Sequence, residues 1–268
     1  MDETTAAFDD GAAYERFMGS WSRKAGTIFL EWLATPSDLR WLDIGCGTGA
    51  FTELVLSTQS PAAIVGIDPA ASQIDYARRR QLGTRADFHL SDAEQLSFHS
   101  GSFDVVASAL VMTFIRDRPR ALAEMVRVCR PGGRVASYVW DLSGGGNPGW
   151  PLARALREVG IDPAPLPGLE TSSLTALGSL FERAGLDDIR LRTIDVSVTF
   201  ADLEDYWQSQ TPAFSPQGRV IAALSVETRA KLIDTVRALL PAERDGSITY
   251  AARANAIASR VPPLNGMP

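Results

Sequence analysis

The chain has 268 residues, 45% of them hydrophobic and 22% charged, with a formal net charge of −6. That composition is ordinary for a globular protein, and an acidic chain without a basic run lacks the electrostatic footprint of a nucleic-acid binder. Two cysteines, Cys46 and Cys129, are too few for a disulfide framework and point to a reducing compartment. The acidic first residues hold no apolar signal-peptide core, and no apolar run reaches spanning length. A cytoplasmic protein without membrane insertion is expected.

In chain order, Tyr14, Phe17, Met18 and Trp21 recur at helical spacing and predict an amphipathic helix. From Arg40 to Asp141 strand and helix patterns alternate, as in a parallel sheet wrapped by crossover helices. Strands are predicted at Leu42–Ile44, Ala62–Ile67, Asp87–Leu90, Phe103–Ala109 and Arg134–Trp140. Helices are predicted at Ala50–Leu56, at Ala70–Arg80 with Ala71, Ile74 and Ala77 inward, and after Asp117. There Asp117 suits an N-cap and Pro119 a first turn, while Leu122, Met125, Val126 and Cys129 form the apolar face. Pro131-Gly132-Gly133 ends that helix.

Beyond Asp141 the texture changes. Residues 143–149 read as a flexible glycine-rich loop, and Ile161–Pro167 carries three prolines. A helix at Leu174–Ala184 precedes a long strand at Ile189–Phe200, whose alternation slips phase between Leu191 and Ile194, as at a bulge or twist. An amphipathic helix at Val226–Leu240 turns Leu232, Ile233, Val236, Leu239 and Leu240 inward, and Ile248–Val261 reads as the last strand. The expected organisation is one domain: a helical lid (1–35), a cofactor-binding core (36–142), and a substrate-side half (143–268) with a helical insertion at about 201–245.

The most informative segment is Trp41-Leu-Asp-Ile-Gly-Cys-Gly-Thr-Gly-Ala-Phe51: an apolar strand, three alternating glycines, then a helical pattern. Such a turn leaves room for a ligand beside its backbone, against helical N–H groups. Read literally, Gly45 to Ala50 satisfies the dinucleotide fingerprint G-x-G-x-x-A, with an acidic residue, Asp68, about twenty positions on. Three features argue for a different ligand. Asp43 stands two residues before the first glycine, where a carboxylate repels a pyrophosphate and attracts an ammonium or sulfonium. Gly49 is an added glycine before the helix. Asp92, in Ser91-Asp92-Ala93-Glu94, supplies a further carboxylate at the same sheet edge, able to accept from an adenine amino group.

The segments Leu42–Gly49, Gly66-Ile67-Asp68-Pro69, Ser91–Glu94, Phe103-Asp104-Val105-Val106 and Arg130-Pro131-Gly132-Gly133-Arg134 together resemble a class I S-adenosylmethionine-dependent methyltransferase. The resemblance is to the broad group that includes the ubiquinone and menaquinone biosynthesis methyltransferases, and it covers roughly residues 40 to 140. It implies a Rossmann-like α/β fold: a seven-stranded, mostly parallel sheet with an antiparallel last strand, helices on both faces and a helical cap near the C-terminus.

It also implies S-adenosylmethionine as cofactor and methyl transfer by in-line displacement to a small, partly apolar acceptor. Gly45, Cys46, Gly47 and Gly49 would lie against the methionine and ribose, with Asp43 beside them. Asp68 and Pro69 would hold the ribose, Gln73 stands where relatives often cover the adenine with an aromatic or Met, and Asp92, Ala93 and Glu94 would meet the adenine. Ser108 and Ala109 would lie near the sulfur, and Tyr14, Met18 and Trp21 in the covering segment. No metal site is read.

Relatives often carry a His shortly after strand four; here the stretch is Val111-Met112-Thr113-Phe114. Candidates to take a proton from the acceptor are Tyr14, Asp141 and Tyr206. Trp140, Trp150, Tyr206 and Trp207 are candidates for an apolar acceptor pocket. His89, His99 and Cys46 are read as non-catalytic, and Asp104 as structural. Asp68 and Asp92 also suit capping or turn roles. Two alternatives stay open: an NAD(P)-dependent oxidoreductase and a non-catalytic S-adenosylmethionine-binding protein.

Overall fold

The computed structural model describes residues 15–163 and 165–263. Tyr14 lies outside the described residues. A π-helical turn, Glu15–Gly19, runs into α1 (Ser20–Leu33). The core then alternates β1 (Arg40–Ile44), α2 (Ala50–Gln59), β2 (Ala63–Asp68), α3 (Ala71–Arg79), β3 (Ala86–Leu90), β4 (Phe103–Ala109), α4 (Arg118–Val128) and β5 (Cys129–Trp140). The second half adds α5 (Trp150–Glu158), α6 (Leu174–Arg183), β6 (Asp187–Phe200), α7 (Leu203–Gln210), α8 (Pro216–Ala222), α9 (Val226–Leu239) and β7 (Ile248–Arg260).

The seven strands form one sheet in the order β3-β2-β1-β4-β5-β7-β6. Strands β1 to β5 pair in parallel, and β7 inserts antiparallel to both β5 and β6. Strand order reverses between β1 and β4, and the crevice at the carboxyl ends of strands at such a switch point is where open α/β sheets bind ligands.

Parallel strands covered on both faces must be apolar on both, and the alternation of side chains splits them between two cores. Trp41, Val105, Ala107, Ala136 and Tyr138 face one, packed with Phe29, Leu30 and Leu33 of α1 and Leu156 of α5. Leu42, Ile44, Val106, Val135 and Val139 face the other, with Leu122 and Met125 of α4 and Leu177 and Phe181 of α6.

Several local expectations shift. In α3, Gln73 rather than Ala71 joins Ile74 and Ala77 on the buried face. Pro131-Gly132-Gly133 is a bulge within β5 rather than a break before it: the register jumps from Phe103↔Cys129 to Val105↔Arg134. The β6 irregularity lies between Asp187 and Arg190, where Asp188 adopts φ 49°, and not at Leu191–Ile194. Leu191 is 43% exposed on the outer face, so its apolarity mimicked a change of phase.

Helix α5 was not expected, while α7 and α8 fall within the helical insertion expected at about 201–245 without having been placed individually. Each is short, and α7 and α8 begin at side-chain caps, Asp202 accepting from Asp205 N–H and Ser215 from Gly218 N–H. In α9 only Leu232 and Val236 are fully buried, followed by Leu240.

The Asp117 cap is present as expected, its carboxylate accepting from Arg120 N–H at 3.1 Å. Asp117→Ala should lower the unfolding free energy by about 1 kcal/mol, measured by urea denaturation with an unchanged m-value.

Candidate functional site

The turn after β1 is built around two close approaches. Gly45 has φ 68°, and a Cβ there would stand 2.4 Å from Cγ1 of Val111, so the first glycine is demanded by the loop after β4. Gly47 has φ 52°, yet a Cβ there would meet nothing nearer than Gln73 Oε1 at 3.8 Å, so its bare backbone faces open space. The third glycine serves packing: Gly49 is the N-cap of α2 at φ 81°, set against Phe88 and Ala77.

Asp68, at the end of β2, joins this turn to the next one. Its Oδ2 accepts Gly47 N–H at 3.0 Å and its Oδ1 accepts Ala70 N–H at 2.9 Å. Burial raises its pKa against the lowering by those two amides. Asp92 takes Glu94 N–H at 2.9 Å, and Glu94 in turn takes Asp117 N–H at 2.9 Å, fixing the loop after β3 to the start of α4.

These pieces surround a cavity of about 480 Å³. On one side its wall is Gly45, Cys46, Gly47, Asp68, Pro69, Gln73, Asp92, Ala93 and Glu94. On the other it is Ala109, Leu110, Val111 and Phe114 after β4, Phe51 and Leu54 of α2, and Tyr138 of β5. Leu110 holds φ 63° there, with its N–H on Tyr138 O at 2.8 Å. A non-glycine residue in that region stores strain that its surroundings must enforce, a pattern that clusters at functional sites.

Other expected site residues lie elsewhere. Ser108 is fully buried within the sheet, its hydroxyl 2.8 Å from that of Ser137, so only Ala109 of that pair reaches the cavity. Met18 and Trp21 are core residues, Trp21 packed on Tyr250 with ring centroids 4.8 Å apart. Gly19, Ser22 and Arg23, on the opposite face of the same segment, line the cavity instead. The apolar face of an amphipathic helix seeks the core, so the small and polar face was the signal to follow.

Asp141 spends Oδ1 on Gly144 N–H at 3.0 Å, and Tyr206 is buried among Phe200 and Tyr250. Neither lines the cavity, nor do Trp140, Trp150, Trp207, His89 or His99. Tyr138, absent from the sequence-derived set, does. Its place comes from the β4–β5 register, which sets it opposite Ala109.

Asp43, expected beside the cofactor, is 1% exposed and does not itself line the cavity, lying behind Ile44 and Gly45, which do. Its Oδ2 accepts the Thr52 hydroxyl at 2.7 Å, while Oδ1 has no hydrogen-bond partner. Burial is the main cause that pushes its pKa up from 3.8 to about 7; the Thr52 hydrogen bond opposes this and the neighbouring Asp68 adds to it. The Cys46 thiol is pushed well up by burial and both carboxylates, and stays protonated. An orphaned buried carboxylate oxygen beside a glycine cradle fits a ligand with a cationic end. It does not fit a pyrophosphate.

The arrangement is that of a Rossmann-like fold with a ligand-sized cavity at its switch point. Residues 42–137 match the methyltransferase-domain family model. Over 130 residues the chain is 33% identical to a malonyl-[acyl-carrier protein] O-methyltransferase of Serratia marcescens, covering 46% of this chain and 49% of that protein. Over 182 residues it is 28% identical to a ubiquinone biosynthesis O-methyltransferase of Aromatoleum aromaticum, covering 56% and 77%. The Bacillus subtilis YcgJ crystal structure superposes with a TM-score of 0.58 at 19% identity, covering 89% of this chain and 98% of that one. The chain spans about half the length, or less, of several curated relatives it matches. Over residues 42–137 the chain is thus similar to methyltransferase domains, and its sheet shares the fold of the superposed structure. Among the described residues no helix is long and apolar enough to cross a membrane.

Asp43 generates a stability prediction. Its folded pKa lies above the unfolded value, so its stabilising contribution is complete below about pH 4 and is lost as pH rises through 7. Asp43→Asn should therefore raise the unfolding free energy of the ligand-free protein at pH 8, by on the order of 4 kcal/mol at most, and with it the melting temperature, and change both far less at pH 5. Thermal unfolding at the two pH values measures this.

Proposed function

We propose that the chain transfers the methyl group of S-adenosylmethionine to a small, partly apolar acceptor by in-line displacement. The observation that carries this reading is the single cavity that joins the glycine turn, Asp68 and the Asp92–Glu94 loop to an apolar wall of Phe51, Leu54, Leu110, Val111, Phe114 and Tyr138. The relatives, a malonyl-[acyl-carrier protein] O-methyltransferase and a ubiquinone biosynthesis O-methyltransferase, support methyl transfer as the reaction class.

When bound, the cofactor supplies an electrophilic methyl group on a sulfonium. This chain's residues hold, align and dry the site. The backbone of Gly45 to Thr48 receives the amino acid and ribose. Asp68 keeps lone pairs beyond its two amide bonds for ribose hydroxyls. Pro69 and Gln73 flank the adenosine, and Asp92 and Ala93 meet the adenine. The apolar residues on the far wall exclude water and orient the acceptor. Such positioning supplies roughly 7–11 kcal/mol of barrier reduction. An acceptor that ionises readily needs little further help; an alcohol or amine must lose a proton.

S-adenosylmethionine and S-adenosylhomocysteine should each raise the melting temperature, and NADH should not, because a ligand binding only the native state stabilises it by mass action. Stabilisation by NADH alone would overturn the reading. Asp68→Ala should weaken S-adenosylhomocysteine binding at least about tenfold, a loss of roughly 1.4 kcal/mol, measured by calorimetric titration; an unchanged dissociation constant would remove Asp68 from the ribose site.

A further inference from the structure

Asp43 and Thr52 form a unit set just behind the glycine turn. Asp43 is the third residue of the Trp41–Ile44 run, and Ile44 and Gly45 after it line the cavity. Thr52 stands in the first turn of α2, fully buried, and gives its hydroxyl proton to Oδ2. The other oxygen, Oδ1, is buried and has no hydrogen-bond partner. The groups that face this carboxyl are Thr52 from α2, Asp68 from β2 and the Cys46 thiol from the turn. No cation among the described residues acts on it. The β4 residue beside it in the sheet is Ala107, which brings no charge.

A fully buried carboxylate beside a second carboxylate, without a compensating cation, is costly to keep ionised. A ligand with an ammonium group on the cavity side of Gly45 would provide the missing charge.

On the S-adenosylmethionine reading above, we propose that the ligand-free protein holds a proton on Asp43 and releases it to solvent when an ammonium-bearing ligand enters, with Thr52 positioning the carboxyl for that exchange. The proton passes to buffer and no other bond changes. Cofactor affinity thus becomes coupled to pH in the neutral range. Thr52 donates its hydrogen bond best to an ionised acceptor, so it eases the release and fixes Oδ2, leaving Oδ1 for the incoming charge.

The test is calorimetric titration of the full chain with S-adenosylhomocysteine in phosphate and in Tris at matched pH, the difference in apparent enthalpy giving the protons released. At pH 7 about half a proton per site is expected, falling toward zero at pH 9, and the dissociation constant should rise about tenfold per pH unit below 7. 5′-Methylthioadenosine, which keeps the adenosine and lacks the amino-acid end, should bind with no buffer dependence.

Asp43→Asn should abolish the release and weaken S-adenosylhomocysteine at least tenfold while sparing 5′-methylthioadenosine. Thr52→Val should move the pH profile of the dissociation constant upward, and Thr52→Ser should restore it, a shift that a merely structural role would not produce. Equal enthalpies in the two buffers between pH 6 and 8, or proton release that survives Asp43→Asn, would overturn the proposal. Absence of any binding by S-adenosylmethionine and S-adenosylhomocysteine to the wild-type chain would instead overturn the cofactor reading on which it stands.

Discussion

The Asp68 carboxylate takes the Gly47 amide through one oxygen and the Ala70 amide through the other. Those two hydrogen bonds tie the turn after β1 to the turn after β2, and the remaining walls of the cavity are placed relative to that tie. The Cys46 amide reaches Ile67 O at 2.8 Å, drawing the turn across the end of β2. The turn can come so close only because Gly45 has no side chain to meet Val111. A backbone arranged this way sets a carboxylate edge beside a bare glycine, which suits an adenosine ligand and not a densely phosphorylated one.

Three carboxylates at one sheet edge do three different jobs because their burial differs. Asp43 is sealed in and carries an oxygen with no partner; Asp68 is partly covered and hydrogen-bonded through both oxygens; Asp92 is exposed and closes its own turn. The gradient runs from a sealed carboxyl whose charge no cation offsets to a solvent-facing one. Sequence position placed all three at the edge, but burial assigned the roles. The turn functions expected as alternatives for Asp68 and Asp92 are also present, and both residues serve them while facing the cavity.

Much of the fold was legible in the sequence because periodicity and punctuation are local. The β4 limits, Phe103–Ala109, follow from a nearly all-apolar run, and α4 follows from Asp117, Pro119 and the spacing of its apolar residues. The antiparallel last strand came from family resemblance and is present as β7. What stayed hidden depends on long-range register. Helices α7 and α8 are too short for periodicity to bound them, and the local signs were their N-caps at Asp202 and Ser215, the acidic first turn of α7 and Pro216 at the start of α8. The phase of β6 was misread at Leu191 because an exposed apolar residue on an outer strand carries the same letter as a buried one.

The acceptor side of the site was least legible for the same reason. Its wall is assembled from α1, α2, the loop after β4 and β5, elements far apart in sequence. Tyr138 reaches the cavity through the pairing of β5 with β4, and Leu110, at positive φ, donates its N–H to Tyr138 O. The strained loop and the tyrosine strand are therefore one mechanical unit. A side chain on either moves only if the pairing between them moves. That rigidity suits a reaction whose demand is alignment, and it explains why the charged and aromatic residues that looked most reactive in the sequence, Asp141 and Tyr206, were free to take up loop-closing and packing roles away from the cavity.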